Sequence, residues 1–175
     1  HSIQEGAMKK PRRSAPFSAV LLAALALTFL TSKYICQLAL VEGDSMLPAL
    51  HSGQLVLVDK TAKAYEVGDV VLFSCKALNS TLVKRIAGQP GDRIMIEGGR
   101  LYRNGVCAAG YGADVFAGMA EEELTVPEGC YFVLGDNIAE SVDSRDESVG
   151  FVAADDISGR VYSAFLSPSS SAAAA

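Results

Sequence analysis

The hydrophobic rhythm of the chain changes near Leu38. From Ala19 to Leu30 it reads AVLLAALALTFL, extended by Pro16–Phe17 before and Tyr34 to Leu40 after, with no charge before Lys33. A bilayer span needs about 20 apolar residues, so residues 16–36 are expected to form one transmembrane helix, with Lys33 snorkelling to the interface. Lys9, Lys10, Arg12 and Arg13 lie in the basic segment 8–15 just before it, which predicts a cytoplasmic N-terminus and an outward-facing remainder. A secretory signal peptide shares the basic start but needs a small-residue cleavage site, and the sequence around Lys33–Tyr34 supplies none. A core helix fits less well, because the stretch is apolar all round.

From Leu38 the apolar positions come in short runs, several alternating with polar ones: LVLVD at 55–59, VVLFS at 70–74, TLVKRIA at 81–87, RIMIEG at 93–98, RLYRNG at 100–105, CYFVLGD at 130–136 and GRVYSAFL at 159–166. Turn residues such as Gln89–Pro90–Gly91–Asp92 and Arg103–Asn104–Gly105 separate them. Residues 37–166 are therefore predicted to be mainly antiparallel β. Residues 106–126 break this rhythm with AAGYGA and the acidic run Glu121–Glu122–Glu123, read as an excursion with a solvated face and no assigned role.

Composition narrows the field. The 175 residues suit one domain plus appendages. The net charge is −5, from 15 basic and 20 acidic residues, and no basic stripe follows the N-terminus, so a nucleic-acid partner is not expected. Four cysteines without Cys-x-x-Cys spacing and two histidines argue against zinc. A Cys107–Cys130 disulfide stays open. His1 to Ala7 read as a tag remnant ahead of Met8, and 167–175 as a low-complexity tail.

Candidate chemistry begins with Gly43–Asp44–Ser45–Met46–Leu47–Pro48, just after the apolar stretch. Glycine and proline would hold Ser45 on a tight turn whose amides can face an oxyanion, although an ordinary turn serine would look the same. The hydroxyl needs a base. His51 sits in a turn-like context and is placed on the surface. Lys84 is the better candidate: on a strand Leu82, Lys84 and Ile86 share one face, and a lysine between apolar neighbours loses hydration and becomes easier to deprotonate. The bland alternative is an edge lysine that snorkels. A polar loop follows CYFVL, in which Asp143 and Arg145 could pair and Ser141 could orient the amine, or all three could simply be solvated.

In this order, GDSMLP, GDVVLF at 68–73, LVKRIAGQPGD at 82–92, VPEGCYFVLGDN at 126–137 and SVDSR at 141–145 resemble the type I signal peptidases from roughly Val41 to Val161. The resemblance implies a β-rich serine endopeptidase tethered by one helix to the cell membrane. It would remove the signal peptides of exported preproteins after Ala-x-Ala-like sites, beside the bilayer and within reach of the export machinery. It implies Ser45 as nucleophile, Lys84 as general base, Ser141 as the hydrogen-bond partner of the lysine, and Asp143 and Arg145 as structural support. Val41, Met46 and Val83 match positions around shallow substrate pockets, and the Ser45 amide would line the oxyanion hole. Gly43 stands where some relatives carry a second oxyanion donor, which fits the single-span branch and leaves that donor open. No cofactor or metal is implied. The small residues of Ser171 to Ala175 match the expected cleavage preference, so the tail is expected to be trimmed or to enter an active site. The rivals are a soluble self-cleaving repressor of the serine–lysine type, and a binding module that keeps the scaffold without the serine or the lysine.

Overall fold

The computed structural model describes residues 16–109, 111 and 116–166. The expected tag remnant, the basic segment 8–15 and the tail lie outside these residues.

Helix α1 spans Phe17–Tyr34 behind Pro16, and its apolar side chains are exposed on every side, from Phe17 and Leu21 to Phe29 and Leu30. Thr28 and Thr31 turn their hydroxyls back onto the carbonyls of Ala24 and Leu27 at 2.9 and 2.7 Å. The helix stops earlier than the apolar stretch does. Ile35 caps it by donating to Thr31 O, and Cys36–Leu40 becomes β1 because all five residues pair with the next strand. With 18 residues α1 rises about 27 Å, against about 30 Å of bilayer hydrocarbon. Among the described residues no helix is long and apolar enough to cross a membrane, so the transmembrane helix expected over 16–36 is not found as drawn.

The remainder is antiparallel β, as the alternation predicts. A sheet of order β1-β2-β11-β3-β4-β9-β10 contains β2 (Leu55–Asp59), β3 (Val70–Cys75), β4 (Ser80–Gly88), β9 (Cys130–Leu134), β10 (Val152–Ala153) and β11 (Ile157–Leu166). A smaller sheet of order β7-β6-β5-β8 contains β5 (Arg93–Glu97), β6 (Arg100–Arg103), β7 (Val106–Cys107) and β8 (Leu124–Thr125). The expected excursion 106–126 thus supplies both edge strands of the small sheet, joined through a 3₁₀ turn at Gly118–Glu121. Glu121, Glu122 and Glu123 are exposed, as a solvated face requires.

Three apolar clusters hold the strands together. Val71, Phe73, Ile86 and Val133 pack inside the large sheet. Ile94, Leu101, Val126 and Phe132 join the two sheets. Val41, Met46, Leu50, Val56 and Val58 pack under the β1–β2 connection. Cys107 and Cys130 are both free. Cys107 is exposed on β7 and Cys130 opens β9 in the other sheet, so the disulfide left open by the sequence is not formed.

Candidate active site

The connection between β1 and β2 is anchored from below by Val41, Met46 and Leu50, each about 3 % exposed or less. Apolar burial of Met46 pulls the chain inward one residue after Ser45, while Glu42, Gly43 and Asp44 stay at the surface. Ser45 therefore sits at the boundary, half-buried. Gly43 takes a positive φ of 81°, a backbone that glycine adopts freely. Its amide donates to Ser52 Oγ at 3.2 Å, so that N–H is already engaged.

Lys84 comes from β4, where strand alternation sets it on the face of Leu82 and Ile86. It pairs across the ladder with Val71 and is 2 % exposed. Its Nζ lies 2.6 Å from Ser45 Oγ. Burial holds the Lys84 ammonium below the usual lysine range; the Arg145 charge adds to this, while Asp143 and Asp136 oppose it. Among the described residues no carboxylate is within ion-pair distance of the amine, so desolvation prevails. His51, the other base weighed, is exposed.

The loop 135–145 folds back on β9. Val133 N donates to Ser144 Oγ at 2.9 Å and Ser144 N to Val133 O at 3.0 Å, which extends the sheet by one short contact. Asp143 is fully buried, accepts from Gly135 N at 3.0 Å, and takes two bonds from Arg145, Nε at 2.7 Å and Nη2 at 3.0 Å. Arg145 Nη2 also donates to the carbonyls of Ile138 and Ser141, at 3.0 and 3.1 Å. Such a pair is tolerable in the interior only because nearly every polar atom is bonded. Ser141 differs from its expected place: its Oγ is buried and has no hydrogen-bond partner among the described residues, so the bond to the lysine amine is not made. It lies instead against Gly135, where a Cβ would collide with it.

A cavity of about 440 Å³ opens beside the pair, lined by Val41, Met46, Leu72 and Val83 with Ser45 and Lys84. On the Arg85 face of β4 a larger cavity of about 590 Å³ is lined by Arg85, Asp136 and Tyr111. Burial pushes the Tyr111 phenol up to about 12, with the Asp136 charge adding to it. The smaller cavity is the one where a serine hydroxyl meets a buried lysine amine, and chemistry rather than size selects it as the candidate site.

Sequence reasoning did not find three contributors. Arg85 grips Asp136 with Nε at 2.7 Å and Nη2 at 2.6 Å; its position one residue after an inward lysine was the available signal, since it must face the other way and seek a carboxylate there. Asn137 bonds the backbone of the Ser45 loop. Residues 116–119 of the excursion reach the loop too, through Arg145 Nη1 to Phe116 O at 3.4 Å and Met119 N to Arg145 O at 3.0 Å. No local pattern announces these last contacts, which cross tens of residues.

The chain resembles known proteins over most of its length. The family model for "Signal peptidase, peptidase S26" matches residues 14–166. The chain is similar to a signal peptidase I of Bacillus caldolyticus, 37% identical over 87% of this chain and 89% of the relative. It is 38% identical to one of Bacillus licheniformis over 73% of each chain, and 31% identical to signal peptidase I T of Bacillus subtilis over 89% of this chain and 87% of the relative. The crystal structure of a signal peptidase I from Enterococcus faecalis covers 57% of this chain and 98% of its own, at 29% identity and a TM-score of 0.48. On the extent of the family match and of these relatives, the chain belongs to the signal peptidase family, peptidase S26, and is a serine endopeptidase.

Proposed function

We propose that this chain removes signal peptides from exported preproteins, with Ser45 as nucleophile and Lys84 as general base. The observation that carries the reading is the 2.6 Å contact between Ser45 Oγ and a lysine amine that is 2 % exposed. A buried amine of lowered proton affinity can be neutral near the working pH and take the hydroxyl proton. Ser45 Oγ then attacks the carbonyl of the last signal-peptide residue, and the Ser45 backbone amide receives the developing oxyanion. Lys84 returns the proton to the leaving amine, which departs as the new N-terminus of the mature protein. Water next attacks the acyl-enzyme and gives a proton to Lys84, which passes it to Ser45 Oγ as the acyl C–O bond breaks, restoring the free hydroxyl and the neutral amine. Asp143 and Arg145 brace the loop that closes over the site.

The substrate is expected to lie extended along β4. Residues 80–84 pair with β3 on one side, while β9 begins to pair only at Arg85, so an edge is left for a peptide strand among the described residues. Side chains on alternate positions of that peptide would enter the shallow apolar cavity of Val41, Met46 and Val83, which suits the small residues of an Ala-x-Ala-like site.

The helix α1 is proposed as the tether of a single-pass protein with its catalytic domain outside the cytoplasm. Its apolar side chains are exposed all round and its threonine hydroxyls are satisfied within the helix, a combination suited to lipid. The shortfall of about 3 Å is one that local bilayer thinning accommodates. Preproteins, lipid and the export machinery are the partners this reading names.

The test is cleavage of a preprotein carrying an Ala-x-Ala site by the detergent-solubilised wild type, Ser45→Ala and Lys84→Met, with sequencing of the new N-terminus. The wild type should cut after the second small residue, and both variants should lose about 10⁴-fold or more in kcat. An active Lys84→Met would assign the base elsewhere.

A further inference from the structure

Asn137 has no part in the proton transfers above, yet it makes two contacts with the nucleophile loop from the far side of the molecule's sequence. Its backbone N–H donates to Ser45 O at 3.0 Å. Its side-chain Nδ2 donates to Asp44 O at 3.0 Å. These are the carbonyls on either side of Ser45.

Their position has a consequence for the oxyanion. The Asp44 carbonyl and the Ser45 N–H belong to one trans peptide, so they point in opposite directions from a rigid plane. Holding the oxygen fixes the direction of the N–H. The second bond, to Ser45 O, holds the next peptide plane and so restricts rotation about both backbone bonds of Ser45. Gly135 lets this happen at close range: a Cβ there would sit 2.5 Å from Ser45 O and would collide with Ser141 Oγ. The loop of Ser45 has polar anchors of its own at the other end, where Gly43 N meets Ser52 Oγ and Val41 N meets Gln54 O. Neither of those holds the peptide whose N–H would meet the oxyanion; Leu47 N donates to its Asp44 oxygen at 3.1 Å from within the loop, and Asn137 Nδ2 is the donor that ties the same oxygen to the rest of the domain.

We infer that Asn137 is a positioning residue that aims the Ser45 amide at the oxyanion, acting by clamping the Asp44 and Ser45 carbonyls. The inference rests on Ser45 being the nucleophile. Because the donor itself remains when Asn137 is changed, and only its aim is lost, the effect should be smaller than the ~10²–10³-fold cost of deleting an oxyanion donor outright.

The experiment compares wild type, Asn137→Ala and Asn137→Asp in detergent. Asn137→Asp keeps the shape and the backbone bond and replaces the side-chain donor by an acceptor. Cleavage kinetics are measured together with the affinity of a peptide aldehyde and of a non-cleavable peptide of the same sequence. The aldehyde carbon bonds Ser45 Oγ, the hydroxyl proton moves to Lys84, and the aldehyde oxygen becomes the anion that the Ser45 amide must meet. Both variants should lower kcat about 10-fold to 10²-fold with KM unchanged, and should weaken the aldehyde by a similar factor while leaving the non-cleavable peptide alone. The acid limb of the pH–rate profile should stay in place in Asn137→Ala, which adds no charge and removes no contact of Lys84. A misfolded fraction would lower the amount of competent protein for both ligands but not the ratio of their affinities. Equal loss of both affinities, or wild-type kcat in Asn137→Asp, would overturn the inference. Cleavage by Ser45→Ala would instead overturn the assignment of the nucleophile on which it stands.

Discussion

Lys84 and Arg85 are neighbours on one strand and meet opposite fates on its two faces. On one face the Lys84 amine is buried against Ser45 Oγ, and burial depresses its proton affinity. On the other, Arg85 holds Asp136 by two bonds and donates to Gly68 O at 2.7 Å, and the Asp136 hydrogen bonds hold its guanidinium above its ordinary value. What separates them is whether a carboxylate is free to reach the cation. Asp143 is close enough to oppose the lowering of Lys84, but its two oxygens are occupied by Arg145 and by Gly135 N. Arg145 thus keeps a buried carboxylate from becoming the partner of the lysine. A strand can carry an amine of lowered proton affinity on one face and an ion-paired cation on the other only if such competition is arranged around it.

Three substitutions break or sharpen that contrast. The largest effect is expected from Lys84→Arg, which makes the two faces alike: a guanidinium stays protonated, and cleavage should fall by about 10²–10⁴-fold with no recovery on raising the pH. On the proposed role of Lys84 the active form of the wild type has it neutral, so the rate should rise with pH through the lowered lysine pKa and fall on the acid side. A rate that is flat through the acidic range would remove Lys84 as the base.

Next comes Arg145→Met, which frees Asp143. Leaving that carboxylate buried and unpaired should cost about 3–5 kcal/mol in urea unfolding. The surviving activity should show its acid limb at higher pH, because Asp143 raises the lysine pKa and the Arg145 charge that lowered it is gone. An unmoved limb would show that the pair is a brace with no electrical influence on the site.

The smallest effect belongs to Asp136→Asn. Arg85 would lose its charge-assisted bonds, at about 1.5–3 kcal/mol in the same unfolding experiment. The acid limb should move slightly to lower pH, since Asp136 is a weak contributor that raises the lysine pKa. A shift upward would reverse the sign argued here.

Much of the β architecture was legible beforehand because alternation and turn residues are local signals. The run LVLVD at 55–59 coincides with β2, and TLVKRIA at 81–87 lies within β4. The strand β1 was hidden because Tyr34 to Leu40 continues an apolar stretch, and hydrophobicity alone does not tell helix from strand there. The two-residue strands β7, β8 and β10 are too short to show a period; they exist because a neighbouring strand offers a ladder.

By itself the sequence determined the antiparallel β class, the apolar helix at its start, the family, and which serine and which lysine were worth placing together. Those follow from residue type and near-neighbour spacing, which act locally. Only the tertiary structure decided that Ser45 and Lys84 meet at 2.6 Å, that Asp143 accepts from Gly135 N as well as from the expected Arg145, that Ser141 Oγ has no hydrogen-bond partner among the described residues, and that Asn137 holds the carbonyls on either side of Ser45. The Ser45–Lys84 and Asp44–Asn137 contacts depend on loops closing between residues 39 and 93 positions apart, where the packing of the domain and not the local chain sets the distances.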